Sequence, residues 1–413
     1  MANTLLTIDQ ITNEALRLAH EKSSFLGTIN RQFDEEFGRK GGKAGDTLRI
    51  RIPSQYVRRT GSRVMEVQDS EQVKTTLTVA TQDGVDMRFN SREMSLDLDN
   101  FSKLHLEPAM AALISGVESD VLQGVTKLVY NQTGTWGTPP TDLTHFGTAR
   151  AYMNQDLAPK DGNRFLQYDS INMGTIVKGL AGLFQDSTQI KEQYREGMMG
   201  RTSGFDWYEN ERIYTLANPA DVAGEIDEST ETNFTQGTTT VHMDGLTTAS
   251  DIVAGMVFTW EGLYAVHPET KAVYSHQQDF VVVSVANPSS GDADITFSPA
   301  IYTTGAKQNV KTATGGTVTW TSTGQDGKDI TFRGSTSTSY KYGLFYNKDA
   351  FTFATADLPL MKSGECVRKN HDGLALRVWR AGDIVNDREL LRIDVLYGWL
   401  AQRPEHACRM ILN

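Results

Sequence analysis

The sequence has few cysteines and none of the short motifs that indicate catalysis or metal binding. Its 413 residues include two cysteines, Cys366 and Cys408, which form no CxxC pair. This spacing excludes a disulfide framework and a thiolate zinc site. The GxSxG nucleophile motif, the HExxH zinc motif, the GxGxxG dinucleotide motif and the calcium-loop pattern are absent as well. We therefore predict no catalytic residue, no metal site, no cofactor and no enzymatic activity.

Long apolar runs and an excess of basic charge are also missing. No stretch approaches the roughly 18 consecutive apolar residues of a membrane-spanning helix. The start of the chain, MANTLLTIDQ, has an acid where a signal peptide would carry basic residues, so we expect no membrane contact and synthesis in a cytoplasm. The formal net charge is -11, which disfavours a surface built to bind nucleic acid phosphates.

Histidines and tryptophans provide candidates for a ligand site. Three histidines fall in one β-rich region, but they lack the i,i+2 or i,i+4 spacing of metal ligands, so hydrogen-bonded or surface histidines are the favoured interpretation. Three tryptophans have polar neighbours suited to sugar stacking, although packing in a core or interface is commoner. An alternative hypothesis is therefore a β-rich carbohydrate-binding or carbohydrate-active protein. These candidates are His242, His267, His276, Trp136, Trp207 and Trp260.

The pattern of apolar residues changes along the chain, whose length is enough for two or three domains. Helical spacing from Thr7 predicts an amphipathic helix, and a longer apolar stripe over 100–132 predicts a long spine helix. Residues 148–217 alternate helical and strand patterns, as do the residues after 340. This alternation is typical of a mixed α/β domain.

The region 218–339 differs from its surroundings. It is rich in Thr, Ser and Gly and carries closely spaced strand patterns, of which GGTVTWTS at 315–322 is one. It offers almost no helical periodicity. We therefore predict a separate all-β module with the form of a small barrel.

The most unusual stretch is a long charged loop between two alternating strands, 48–52 and 73–79. Basic residues gather toward its first end and acidic residues toward its second. A segment this charged is unsuited to the hydrophobic core of its own subunit and suits contact with a second subunit. The alternative interpretation is a solvated hairpin without a partner. The candidate inter-subunit contacts are Arg49, Arg51, Arg58, Arg59, Arg63, Glu66, Asp69 and Glu71.

Long strings of the sequence resemble those of a known family. They include EGMMGRTSGFDWYENERIYTL, GMVFTWEGLYAVHPETKAVYSHQQDFVVVSVA, YKYGLFYNKDAFTFATADLPL and LLRIDVLYGWLAQRPEHACRMIL. Together with the order of arm, charged loop, spine helix, α/β region and β module, they resemble the major capsid proteins of tailed bacteriophages. More narrowly, the chain is similar to the podoviral coat-protein family whose apical domain carries an inserted domain.

This resemblance implies an α+β fold of the HK-ninety-seven type with an inserted all-β barrel-like domain. The implied domains are an N-terminal arm (1–43), an extended loop (44–90), a peripheral domain with the spine helix (91–147), the first part of an apical domain (148–217), the inserted β domain (218–339), the apical return (340–364) and C-terminal peripheral strands (365–413).

The resemblance also implies a function and partners. The chain would assemble with copies of itself, as hexameric and pentameric capsomers, into an icosahedral shell that encloses double-stranded DNA without sequence-specific binding. Scaffolding and portal proteins are the implied partners, with a decoration protein as a further candidate. The chain would be made in the host bacterial cytoplasm and would reside in the virion. Another phage structural subunit, such as a tail-tube protein, is the alternative within this class.

Reversing the loop arginines tests the interface hypothesis. The triple change Arg58→Glu, Arg59→Glu and Arg63→Glu is expected to leave thermal unfolding of the subunit nearly unchanged, because exposed charge pairs contribute about 0 to 1 kcal/mol each. Assembly should fail or misdirect, since repulsion recurs at every copy of the interface. High salt should partly restore assembly, measured by light scattering. Normal assembly at low salt would contradict the hypothesis.

Overall fold

The computed structural model describes residues 8–31, 47–58, 61, 65, 73–90, 102–180, 200–218, 223–227, 234–246, 252–288, 291–335, 337–371, 374–383 and 388–413. These residues form two compact units. The first comprises the described residues within Met1–Arg51, Lys74–Leu122 and Phe351–Gln402. The second comprises those within Ile52–Val73, Gln123–Ala350 and Arg403–Asn413.

The four longer helices follow the apolar periodicity of the sequence, and the fifth is a single short turn. Their bounds are Ile8–Lys22 (α1), Glu107–Lys127 (α2), Thr144–Gln155 (α3), Ser170–Leu180 (α4) and Ser322–Gln325 (α5). Helix α2 is the predicted spine helix, and a π-helical turn, Ser102–Leu106, precedes it. Pro108 lies in the first turn of α2, where the missing backbone N–H breaks no helical hydrogen bond. The 21 residues of α2 span about 31 Å.

Strands make up most of the remaining structure. Their bounds are Thr47–Ile52 (β1), Val73–Thr78 (β2), Thr81–Asn90 (β3), Gln132–Thr133 (β4), Arg164–Tyr168 (β5), Arg201–Thr202 (β6), Phe205–Glu209 (β7), Tyr214–Asn218 (β8), Ala223–Ile226 (β9), Thr238–Asp244 (β10), Val257–Val266 (β11), Val273–Ala286 (β12), Ala293–Ile301 (β13), Val310–Lys311 (β14), Asp329–Phe332 (β15), Thr338–Asn347 (β16), Phe351–Thr355 (β17), Glu365–His371 (β18), Leu374–Asp383 (β19), Arg388–Ala401 (β20) and Ala407–Ile411 (β21). The observed mixture of helices and strands confirms the predicted α+β class.

The first unit is built on a five-stranded antiparallel sheet in which β20 is central. Strand β19 pairs with one edge of β20, and β3 and β17 pair with successive parts of the other edge. Asp394 of β20 is fully buried and forms ion pairs with Arg377 and Arg392. Gly84 of β3 lies opposite Asp394, and a Cβ atom there would come 2.5 Å from a carboxylate oxygen. The glycine therefore makes room for the buried ion pair.

The described part of the predicted N-terminal arm packs on its own unit. Helix α1 lies against β18 and β19, with Ile11, Ala15 and Ala19 fully buried. Beyond α1, the backbone of Asn30 exchanges hydrogen bonds with the residues around β17. One face of residues 8–31 thus belongs to the subunit core, and only the opposite face is available to a neighbour.

The second unit contains a seven-stranded sheet and a barrel. The sheet has the order β4-β21-β16-β5-β7-β6, and β8 pairs with the first part of β16, from Thr338 to Tyr342. The barrel has the order β12-β13-β10-β9-β15-β11, and pairing of β11 with β12 closes it. The predicted all-β barrel is therefore confirmed. Closure leaves each of its six main strands paired on both sides, so no barrel edge is left open to aggregation.

An aromatic core fills the barrel and continues into the seven-stranded sheet. The ring of Phe258 lies 5.6 Å from that of Phe280 and 5.6 Å from that of Phe332. The same cluster of buried residues includes Tyr340 and Tyr342 of β16. Independent folding of the β region stays a prediction. Expression of the region alone would remove its contacts with Tyr340 and Tyr342.

Some sequence predictions in this region were wrong or incomplete. The stretch GGTVTWTS at 315–322 forms no strand. Instead, Val318 is buried and the indole N–H of Trp320 donates to the carbonyl of Thr235 at 3.0 Å. Strands β9 and β10 were not predicted. The apolar residues of this Thr-rich stretch therefore serve as single side chains that attach a loop to the barrel, and the stretch does not pair with another strand.

Two observations bear on the predicted domain boundaries. Strand β3 lies within 44–90, the range predicted for the extended loop, yet it pairs along its whole length with β20. Strand β21 lies within the predicted peripheral range 365–413, yet it pairs with β16 of the second unit. The roles assigned to these ranges stay predictions.

Neighbouring valines on β12 test the barrel core. Val282 is fully buried and Val283 is 37% exposed. We expect Val282→Ala to lower the free energy of unfolding by about 2 kcal/mol, from lost burial and an unfilled cavity. The matched change Val283→Ala should alter it by less than about 0.5 kcal/mol. Urea unfolding followed by tryptophan fluorescence measures both, and equal effects would contradict the assigned strand faces.

Candidate assembly surface

The base of the predicted charged loop is a two-stranded sheet with one apolar face. Strands β1 and β2 pair as predicted, and their inward residues Ile50 and Leu77 are buried, as is Val79 just after β2. These residues pack on Ala354, Ala356, Leu358 and Leu396. Residues two apart in a strand point to the same face, so the alternating apolar side chains of β1 and β2 all face the first unit. Their packing attaches the base of the loop to that unit.

The opposite face of this small sheet is basic and exposed. Arg49 and Arg51 of β1 and Lys74 of β2 are all exposed. Within the described residues, none of these three side chains forms an ion pair or a hydrogen bond. The sheet therefore presents positive charges that no described side chain neutralises through direct contact, as expected of a surface that meets an acidic partner.

The chain beyond β1 belongs to the second unit and exposes both charge and apolar surface. Arg58 is exposed, as are Tyr56 at 56%, Val57 at 39% and Met65 at 82%. Sequence reasoning, which followed the charges, missed these apolar residues. The signal was present in QYV and VMEV, where apolar side chains interrupt a charged run. Arg59, Arg63, Glu66, Asp69 and Glu71 lie outside the described residues.

The three histidines considered for a metal site do not converge. The Nδ1–H of His242 donates a 2.7 Å hydrogen bond to the carboxylate of Asp294, which raises the pKa of His242. His267 accepts hydrogen bonds from two backbone N–H groups of its own turn. His276 stacks on Tyr274. Across the described ranges, no group of three or more His, Cys, Asp or Glu side chains is arranged to hold a metal ion.

The tryptophans do not form a sugar-binding surface. Trp260 is fully buried in the barrel and Trp207 is 5% exposed. Trp136 packs edge-on against Tyr340, with ring centroids 4.6 Å apart. The sugar-stacking interpretation is therefore wrong for Trp207 and Trp260, because a buried indole face cannot stack on a ligand.

In the described parts of the chain, no helix is long and apolar enough to cross a membrane.

Comparison with known proteins identifies the class. A family model described as "P22 coat protein - gene protein 5" matches residues 66–411. This match covers most of the chain and defines a viral coat protein. The chain belongs to the P22 coat protein family. A comparison with curated proteins finds no match.

Solved structures show weaker likenesses, some of them to phages. A structure from Mycobacterium phage Che8 has 9% identity and a TM-score of 0.47, over 94% of this chain and 90% of that one. The mature capsid of bacteriophage PhiM1 has 9% identity and a TM-score of 0.39, over 90% and 83%. A virus-like particle from Pyrococcus furiosus has 8% identity and a TM-score of 0.39, over 98% of both chains. The assignment rests on the family match.

The family match confirms the predicted resemblance and the predicted function. The chain is a phage major capsid protein, a structural subunit that forms a shell by self-assembly. The carbohydrate-binding and tail-tube alternatives are not favoured.

Neighbouring residues of β1 separate folding from assembly. Ile50→Ala should lower the free energy of unfolding by about 2 to 4 kcal/mol, because it removes buried methyl groups. Arg51→Ala, on the opposite face, should change it by less than about 0.5 kcal/mol while slowing assembly. Denaturant unfolding of the free subunit and light scattering during assembly measure the two effects. Equal destabilisation by both changes would mean that Arg51 serves the fold.

Proposed function

We propose that this coat protein closes its shell through contacts made by the charged loop on a neighbouring copy. The observation that supports this proposal is the two-sided base of the loop, whose apolar face is buried in its own subunit while Arg49 and Arg51 remain exposed without partners among the described residues. A strand pair anchored in this way can carry a projecting segment without loss of subunit stability. Arg58 extends the basic surface along the chain.

The charges on the loop itself provide a partner of opposite sign. The acidic end, with Glu66, Asp69 and Glu71, would meet the basic end of the next copy, together with Arg59 and Arg63. Such head-to-tail contacts close into rings when the rotation between copies closes, and rings of this kind are the capsomers. Tyr56, Val57 and Met65 would add apolar area at the centre of the contact, where burial contributes most.

The remaining assignments concern partners and location. The net charge of -11 supports a shell that encloses double-stranded DNA without sequence-specific binding. Scaffolding and portal proteins are the proposed assembly partners, and a decoration protein is a further candidate. The chain would be made in the host cytoplasm, reside in the virion and act without catalysis.

The domain roles form part of the same proposal. The exposed side of the arm (1–43) and the extended loop (44–90) would contact neighbours. The spine helix would stiffen the peripheral domain (91–147 and 365–413). The barrel, as an inserted domain (218–339), would steady the apical domain (148–217 and 340–364) during folding.

Assembly of the purified chain tests the proposal. Light scattering and negative-stain microscopy, with a scaffolding partner supplied, should show hexamers, pentamers or closed shells. Arg49→Glu with Arg51→Glu should reduce shell yield by at least tenfold at low salt, since like charges would face each other at every copy. The control Lys341→Glu reverses a charge on β16, which pairs with β5, β8 and β21. Open rods, a strict monomer or equal loss in the control would contradict the proposal.

A further inference from the structure

Two buried polar side chains, Arg409 and Gln132, lie side by side in the second unit without hydrogen-bond partners. They occupy the neighbouring parallel strands β21 and β4, in register with each other, so both project from the same face of the sheet. Arg409 is fully buried and Gln132 is 6% exposed. Among the described residues, nothing pairs with the three guanidinium nitrogens of Arg409 or with the two amide atoms of Gln132.

These two side chains are rich in donors and poor in acceptors. A guanidinium carries five N–H groups and an amide carries two, against the single amide oxygen of Gln132. Buried polar groups of folded proteins nearly always have a hydrogen-bond partner. A group that completes this pair therefore has to accept several hydrogen bonds at once.

The ring of Tyr342 covers one face of the Arg409 guanidinium. The central carbon of the guanidinium lies 4.9 Å from the ring centre, within the range of a cation–π contact. Guanidinium N–H groups point outward in their own plane, so a ligand would approach Arg409 in that plane and not through the ring. The Gln132 amide lies beside the hydroxyl of Tyr342. A small rotation of the amide would let its oxygen accept from this hydroxyl while its N–H groups face the ligand.

The positive charge of Arg409 is not compensated by an ion pair with any described residue. The carboxylate that acts on it belongs to Asp279 of the barrel. Asp279 already accepts two hydrogen bonds from Arg333, at 2.6 Å and 3.0 Å, and one from the backbone N–H of Gln132. With Asp156, it also lines a cavity of about 10 Å³, the room of a single water molecule. Asp279 therefore balances Arg333 and leaves Arg409 uncompensated.

Charges farther from Arg409 do not supply the missing negative charge. Two more carboxylates and two more guanidiniums lie around the turn before β21, and these are Asp156, Glu405, Arg164 and Arg403. They balance in number. The ammonium of Lys127 lies 5.6 Å from the ring of Tyr214, which stacks on Tyr342 and adds a further positive charge to this region. Positive charge is thus in excess around Arg409, and an uncompensated buried charge is costly.

We propose that Arg409 and Gln132 form a buried binding site for one small monovalent anion of the size of chloride. The anion accepts hydrogen bonds from the guanidinium plane and from the amide, and it neutralises the charge that Asp279 leaves uncompensated. Water is the weaker candidate, because it brings no charge to the guanidinium. The site goes beyond the proposed shell contacts and does not depend on them, since it lies inside one subunit.

Urea unfolding of the full-length free subunit, followed by tryptophan fluorescence, tests the site. Chloride is varied from about 1 mM to about 300 mM against gluconate at constant ionic strength, which keeps charge screening fixed. Above the dissociation constant, each tenfold rise in chloride should lower the unfolding equilibrium constant by up to about tenfold, because the folded state alone binds the anion. Arg409→Met keeps a long unbranched side chain without the charge, so its unfolding should not respond to chloride. An equal response in Arg409→Met would overturn the proposal.

A direct count of the bound ion covers the case of very tight binding. The wild-type subunit is gel-filtered into chloride-free gluconate buffer and unfolded, and the released chloride is measured by ion chromatography. Release of one chloride per subunit supports the site even where stability does not respond to added chloride. A wild type that shows neither the response nor the release excludes the anion and leaves water as the occupant.

The variant Asp279→Asn distinguishes an anion site from an arginine that serves packing alone. It removes the negative charge that competes with the anion for Arg409, so the chloride concentration at half effect should fall severalfold. The matched change Asp329→Asn, at an exposed acid of β15, should leave that concentration unchanged. A value that stays the same or rises in Asp279→Asn contradicts the anion site, even if Arg409→Met fails to fold.

Discussion

The alternation of side chains along a β-strand is the constraint on which this subunit depends. Strand β1 buries Ile50 in a core with Leu77 and exposes Arg49 and Arg51 on the other face. A shift of pairing by one residue would bury the arginines and expose the isoleucine, so the cost of burying charge fixes the register. A coat subunit needs strands of this kind, because one face must hold its own fold while the other remains available to copies of itself.

Buried polar groups impose a second constraint, and the two units meet it differently. In the first unit, Asp394 and Arg377 are paired deep in the sheet. In the second, Arg409 is fully buried over the ring of Tyr342, 4.9 Å from its centroid, and its guanidinium nitrogens have no hydrogen-bond partner among the described residues. The aromatic face offsets part of the desolvation cost. Such groups add little net stability.

The function lies in surfaces and not in a catalytic pocket. A capsid subunit is recognised by which faces remain unsatisfied after folding, since fold alone does not determine function. Here the exposed basic face of β1 and the exposed Tyr56 and Met65 lie in the segment that sequence reasoning singled out by charge. The family match begins at residue 66, after this surface, so its contact with a neighbouring subunit stays a proposal.

The sequence by itself determined the local elements and the class of protein. Period-two alternation predicted β1 and β2, apolar spacing predicted α2, and composition predicted the barrel, because each signal is written within one segment. Only the tertiary structure decided that β3 pairs with β20, that Trp260 is buried and that Asp156 and Asp279 line one cavity. These contacts join residues far apart in the chain. A local sequence pattern does not show which distant segment a strand or a carboxyl group will contact.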